Sequence, residues 1–352
     1  MSPCLPLLAL AALVAGLTGV PQPGAVTMPA MPSPAASDIV DHVAASALGT
    51  YWTPERMERA LPIDLLSTVR QVEVATAGIL PAAVASPVPS PSPSPAPSPS
   101  PDAASAGPRR VRQAGLARRP GMPQARTSGS KWNAGGAVTS TTGRVFLTMD
   151  GVDFVCSASA VRSANKDVVV TAGHCVKNGS GSWAENWTFV PGYRAGQRPY
   201  GAYTARRMFV AGPWARGGND DYDLGMVAVT TANGRHLGDA VGGQEIGFNA
   251  RRGLRTYGFG FPADPPYNGE HLLYCAGVVR ADPQGQTRDQ GLRCDLTAGA
   301  SGGPWLTGFD PATGRGTLTS VSSFKYSNDH RTMYGPYFGA AARDLFQAAQ
   351  RA

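Results

Sequence analysis

From residue 131 to the end the sequence is a succession of short β-branched and aromatic runs, each closed off by Gly or Pro. Apolar runs of strand length with such punctuation favour strands over helices and require partners from elsewhere in the chain. The run GRVFLTM at 143–149, the pair Asp150-Gly151 and the run VDFVCSA at 152–158 read as a hairpin, because Asp-Gly supplies the positive φ angles of a type I′ turn. Further strands are expected at 168–171, 224–229, 254–259 and 318–324, and a helical alternation only at 340–350. Roughly 220 residues of this kind fit an all-β fold, a closed or double β-barrel with one short C-terminal helix.

The chain before residue 131 is of a different kind. Residues 5–20 form an apolar run of the length of a secretory signal, followed by Pro21, Pro23 and Gly24, with no Lys or Arg ahead of it. The run is too short for a membrane span. Residues 1–24 are therefore assigned as an export signal, and the product is expected to be secreted, extracellular and free of the membrane once the signal is removed. Residues 25–81 carry moderately helical sequence, including DIVDHV at 38–43 and TPERMERA at 53–60. In the second piece Thr53 suits an N-cap, Pro54 the first helical turn, and Glu55 the positive end of the dipole.

Residues 82–130 read as a linker. Its Ser-Pro repeats, up to Pro101, build no core and form an extended polyproline-type spacer. A basic stretch follows, with Arg109, Arg110, Arg112, Arg118, Arg119 and Arg126 and no acid among them. The organisation is that of a removable, partly disordered prosegment (25–81) and linker ahead of a domain at 131–352; the other reading is a stalk that stays attached.

With Cys4 lost in the signal, Cys156, Cys175, Cys275 and Cys294 remain, an even number that in an exported protein points to two disulfides. No C-x-x-C pair of metal-site spacing occurs, and neither a metal nor another cofactor is expected. Four cysteines allow three pairings. The sequence-local one, Cys156 with Cys175 and Cys275 with Cys294, is favoured; each bond closes a loop of about twenty residues and stabilises by roughly 3 kcal/mol. The formal charge of +7 is concentrated in the basic stretch, and the other Lys and Arg are scattered among acids without interleaved aromatics. That placement argues against nucleic acid as a partner.

Acyl transfer to water at neutral pH needs an activated nucleophile, a base to take its proton, a carboxylate to orient the base, and donors for the oxyanion. The sequence offers a candidate for each. Ser301 stands in GASGGPW at 299–305, where glycines let the backbone fold around the hydroxyl and leave room for substrate. The N–H groups of Gly299 and Ser301 are the candidate oxyanion donors. The same residues satisfy G-x-S-x-G, the elbow of α/β-hydrolases. An elbow leads into a helix, however, which Gly302, Gly303 and Pro304 disfavour, and the tail after Ser301 is short for the acid and histidine that must follow.

His174 ends the buried-strand pattern VVVTAGHCV at 168–176, beside Cys175, which would tether its turn; His42, His236, His271 and His330 have no comparable context. Asp223 precedes LGMVAV at 224–229, so its carboxylate sits at the entrance of an apolar strand and needs a partner there. Asp220 and Asp221 compete for the role, but neither abuts the strand.

TAGHC at 171–175, DLGMV at 223–227 and GASGGP at 299–304, in that order, resemble the three active-site motifs of trypsin/chymotrypsin-like serine peptidases, and CSASAV at 156–161 resembles the strand whose cysteine pairs with the one after the catalytic histidine. The resemblance runs from about residue 143 to the end. With a prosegment ahead, it is greatest to exported bacterial members, including the glutamyl endopeptidase-like branch. It implies two perpendicular antiparallel β-barrels with a catalytic triad of His174, Asp223 and Ser301 between them, acting as a monomer on protein or peptide substrates.

Two departures bear on function. Animal trypsins carry Asp before the catalytic serine, where it pairs with the new N-terminus; here Ala300 stands there, so activation by that ion pair is expected to be absent, leaving the prosegment to cover the cleft or assist folding. Asp295 lies six residues before Ser301, where trypsins hold the acid that receives Lys or Arg, yet Cys294 and Thr297 differ from the trypsin surroundings. Asp295 is thus either a specificity residue or a structural hydrogen-bond acceptor, and either Ser322 or Ser323 lines the pocket wall. Activity is expected to fade below about pH 6 to 7 as the imidazole protonates.

Overall fold

The computed structural model describes residues 39–44, 51–63 and 125–352. The export signal, the Ser-Pro repeats and the basic stretch up to Arg119 lie outside the described residues. The upstream pieces contribute β1 (Ile39–Val43), α1 (Pro54–Arg59) and β2 (Leu61–Pro62). Then follow β3 (Arg126–Lys131), α2 (Ala137–Thr141), β4 (Thr142–Met149), β5 (Val152–Ala160), β6 (Val168–Thr171), β7 (Glu185–Pro191), β8 (Tyr203–Ala211), α3 (Gly212–Gly217) and β9 (Gly225–Val229). The remainder is α4 (Leu237–Val241), β10 (Glu245–Ile246), β11 (Arg255–Gly260), β12 (Leu273–Val278), β13 (Arg280–Ala281), β14 (Gln290–Arg293), β15 (Pro304–Asp310), β16 (Arg315–Val321), β17 (Thr332–Gly335) and α5 (Ala340–Ala349).

The expected hairpin is β4–β5, paired from Thr142↔Ser159 to Met149↔Val152, and its turn has φ of 51° at Asp150 and 80° at Gly151. From it the antiparallel order β4-β5-β6-β9-β8-β7 returns to β4 and closes a six-stranded barrel. Alternation explains why its strands are so evenly apolar. Val145, Leu147 and Met149 of β4, with Phe154, Cys156 and Ala158 of β5, share one core, whereas the intervening Phe146 and Val155 belong to a second core outside the barrel wall. Both faces are thus buried.

The second lobe has two sheets, one of order β10-β16-β15-β11-β12-β3 and one of order β13-β14-β17. The bond Cys275–Cys294 joins β12 to the residue after β14 and so ties the two sheets together. Strand β3 begins at Arg126, inside the range read as linker, and adds an edge to the larger sheet next to β12. Helix α5 buries Ala342, Leu345, Phe346 and Ala349, an i, i+3, i+4, i+7 stripe, in the core it shares with β6 and β9. Among the described residues no helix is long and apolar enough to cross a membrane.

Thr53 caps α1 as expected, its Oγ1 accepting from Arg56 N at 3.3 Å. Of the piece at 38–43, the described residues 39–43 are not helical. Ile39–Val43 pair antiparallel with β8, from Ile39↔Ala211 to Val43↔Arg207. Three β-branched residues in five favour extended backbone once a strand edge is offered, and tertiary pairing overrides a weak local preference. Trp52, Met57 and Ile63 are buried, and side chains of this size each stabilise by about 1.5–3 kcal/mol on burial.

Candidate active site

The turn Gly173–Cys175 follows β6 directly and carries His174. Cys175 is bonded to Cys156 of β5, and its carbonyl accepts from Trp187 Nε1 at 2.9 Å, so the turn is held covalently and by hydrogen bonding. Asp223 enters from the other side, at the start of β9, and is 2% exposed. Its Oδ2 lies 2.7 Å from His174 Nδ1 and its Oδ1 accepts the His174 backbone N–H at 2.8 Å. Both oxygens thereby engage one residue, which fixes the ring orientation and places the proton on Nδ1. Trp214 of α3 packs near the imidazole with ring centroids 6.4 Å apart.

Burial alone would push the Asp223 carboxyl up. The charge and hydrogen bond of His174, the hydroxyl of Ser323 and the His174 backbone N–H outweigh it, and the group lies below the usual aspartate range. Ser323 Oγ donates to Asp223 Oδ2 at 2.5 Å. Asp221 instead pairs with Arg288, at 2.7 Å.

Ser301 is 1% exposed and sits in a loop whose path depends on two glycines. Gly299 has φ of 90° and Gly302 φ of 78°, and a Cβ at Gly302 would lie 2.0 Å from Thr171 Oγ1. The loop belongs to the second lobe but is fastened to the first through Ser157 of β5. Ser157 N donates to Ser301 O at 2.7 Å, Ser157 Oγ donates to Gly299 O at 2.8 Å and accepts from Phe261 N at 2.8 Å, and Ser157 O accepts from Thr171 Oγ1 at 2.9 Å. Strand β5 therefore holds the imidazole turn by the sulfur of Cys156 and the serine loop by the next residue. Cys175 Sγ itself lies 3.8 Å from Ser301 O. Ser157 was singled out by no sequence argument beyond its place in CSASAV; the signal available was a small hydroxyl residue directly after the bridging cysteine.

The three candidate specificity residues have other occupations. Asp295 Oδ1 accepts from Gly129 N of β3 at 2.7 Å and from Tyr267 OH at 2.9 Å. That partnership, after burial, pushes the Tyr267 hydroxyl up to about 12. Ser322 Oγ accepts from Trp305 Nε1 at 3.0 Å, and Ser323 is committed to Asp223. Lys325, which sequence reading passed over, donates from Nζ to Cys294 O at 2.9 Å and to His330 O at 2.6 Å.

Both disulfides have the sequence-local pairing, Cys156–Cys175 and Cys275–Cys294. Among the described residues, the one group of possible metal-ligating atoms within 4.8 Å of one another is Cys156, His174 and Cys175. Its two sulfurs are bonded to each other and offer no thiolate.

A closed six-stranded barrel carrying a paired histidine and aspartate, joined to a second β lobe carrying a glycine-flanked serine, is the architecture of a chymotrypsin-like serine peptidase. No family model matches the sequence. Solved structures do. Protease Anisep from Arthrobacter nicotinovorans is 41% identical, with a TM-score of 0.58 over 60% of this chain and 96% of that one. A thermostable serine protease, AL20, from an extremophilic microorganism is 36% identical, also at 0.58, over 61% of this chain and 99% of that one. A Glu endopeptidase at 21% identity and a TM-score of 0.52 shares the fold. The chain belongs to the chymotrypsin-like serine protease family and is a serine endopeptidase. An extracellular metalloprotease of Bacillus subtilis is 30% identical over 103 residues, and the chain spans about a third of that protein's length.

Proposed function

We propose that this endopeptidase is exported, is made with a prosegment that is severed from the protease domain, and cleaves peptide bonds through His174, Asp223 and Ser301. His174 takes the proton of Ser301 as its oxygen attacks the substrate carbonyl, while Asp223 holds the tautomer and stabilises the imidazolium. The N–H groups of Gly299 and Ser301 receive the oxyanion. His174 then returns the proton to the leaving amine, and water that it activates releases the acyl group from Ser301. The observation that carries this reading is the grip of both Asp223 oxygens on His174. Asp295, Ser322 and Ser323 stay candidates for the pocket only as its frame, because each already has a partner. Export agrees with the two disulfides and with the extracellular relative.

A fluorophosphonate probe tests the assignment. Wild-type protein is expected to be labelled covalently, and Ser301→Ala and His174→Ala, shown to be folded by circular dichroism, are expected to remain unlabelled. Labelling that persists in folded Ser301→Ala would overturn it.

A further inference from the structure

The residues upstream of the linker are built into the first barrel. Strand β8 pairs with β7 only at Tyr203 and Thr204 and with β9 from Ala205 to Val210. Beyond the reach of β7, at 207–211, β1 takes up the vacant side of β8 with five registered residues. An ion pair of Arg207 Nε with Asp41 Oδ2 at 2.6 Å and a stack of His42 on Trp183 at 5.3 Å reinforce the pairing. Without β1 that stretch of β8 would be an open strand edge.

The second piece covers the outer face of the β4–β5 hairpin. Trp52, 7% exposed, packs on Phe146 with ring centroids 5.5 Å apart, and its Nε1 donates to Asn186 O at 2.6 Å. Met57 and Ala60 join the same core, and Ile63 joins the barrel core that contains Cys156. Asp153 of β5 gathers Tyr51 OH at 2.9 Å and Arg56 Nε at 3.1 Å, and β2 runs parallel to β5 through Leu61↔Phe154 and Pro62↔Val155. Apart from Trp183, which precedes β7, these partners lie on β4, β5, β7 and β8, all strands of one barrel.

We propose that the upstream pieces form a non-covalent clamp that stays on the first barrel after the chain is cut between residues 64 and 124, so that the working protease consists of two chains. The place of the cut rests on the prosegment reading above; the clamp itself rests on the contacts just given. A removable plug would be held by few buried groups, whereas this segment supplies a strand, a buried indole and an ion-pair cluster whose loss would bare the apolar wall of the barrel.

The experiment uses full-length Ser301→Ala protein, to suppress self-digestion, with a recognition sequence for a site-specific protease inserted within 82–101. After cleavage, the upstream fragment is expected to co-elute with the 125–352 portion in size exclusion at micromolar concentration and to appear with it in native mass spectrometry. The melting temperature should stay within about 2 °C of the uncut protein. In the same background Trp52→Ala with Met57→Ala is expected to release the fragment on cutting, and Trp52→Phe to retain it. Should the double variant not fold, hydrogen exchange on the cut parent protein replaces it, with the amides of β8 at 207–211 expected to remain protected. A fragment that separates as a free peptide, or β8 amides that exchange freely after the cut, would overturn the proposal; failure of probe labelling in the earlier test would leave this result unaffected.

Discussion

The two lobes solve the same problem differently. The first is a closed barrel whose strands are buried on both faces, with the imidazole and the carboxylate issuing from neighbouring strands β6 and β9. The second is two sheets joined by a disulfide, and it presents its serine on a glycine loop that depends on Ser157 across the seam. On the assignment proposed above, the base and its orienting acid are thus held within one barrel, while the nucleophile is placed by contacts between two lobes. Damage around His174 and Asp223 should therefore act on proton transfer, whereas damage to the second lobe away from the Ser301 loop should fall on stability or on substrate.

The largest effects are expected at the active site. Ser301→Ala should lower turnover on a peptide substrate by about a millionfold, and Asp223→Asn by about ten-thousandfold, each with a melting temperature within a few degrees of wild type. A loss of less than tenfold in Asp223→Asn would break the claim that the first lobe holds the orienting acid.

The disulfides sharpen the contrast. Both close loops of the same sequence separation, 19 residues, so replacing either pair by serine should cost roughly 3 kcal/mol, a fall of about 6–12 °C in Tm. Turnover should divide them. Removing Cys156–Cys175 loosens the His174 turn and is expected to lower kcat about tenfold or more, equivalent to ~1.4 kcal/mol in the barrier. Removing Cys275–Cys294 should leave kcat within about threefold. Equal losses of kcat in steady-state assays at 25 °C would show that the division of labour is wrong.

The last effect is a pH dependence. Asp289, 1% exposed, has neither carboxylate oxygen hydrogen-bonded. Burial, and then the charges of Asp221, Asp223, Asp220 and Asp282, push its carboxyl up to about 8. The folded protein keeps a proton there that the unfolded chain releases near pH 4, so the stability this group contributes is complete below about pH 4 and lost as pH rises through 8. Asp289→Asn should flatten the decline of Tm between pH 5 and pH 8. An unchanged slope in thermal melts across that range would exclude Asp289 as its source.

Much of this was legible in the sequence where the determinant is local. Asp150-Gly151 dictated its hairpin through backbone conformation, Thr53 its cap, and the stripe in α5 its buried face. His174 and Asp223 stand out because one strand pattern ends, and another begins, beside them. What the sequence did not disclose depends on distant partners. DIVDHV looked helical because nothing nearby announces the free side of β8. Ser323 looked like pocket lining, since its link to Asp223 spans 100 residues. Ser157 is a small polar residue like many others until the fold brings Gly299, Ser301, Phe261 and Thr171 to it.

The knot at Ser157 has a mechanical meaning. Because one residue uses its amide and its hydroxyl across the seam, to Ser301, Gly299 and Phe261, any swing of one half of the molecule away from the other must surrender three bonds together instead of one by one. Such a joint parts as a unit or not at all, so the loop of Ser301 travels with β5 when the rest of the second lobe shifts.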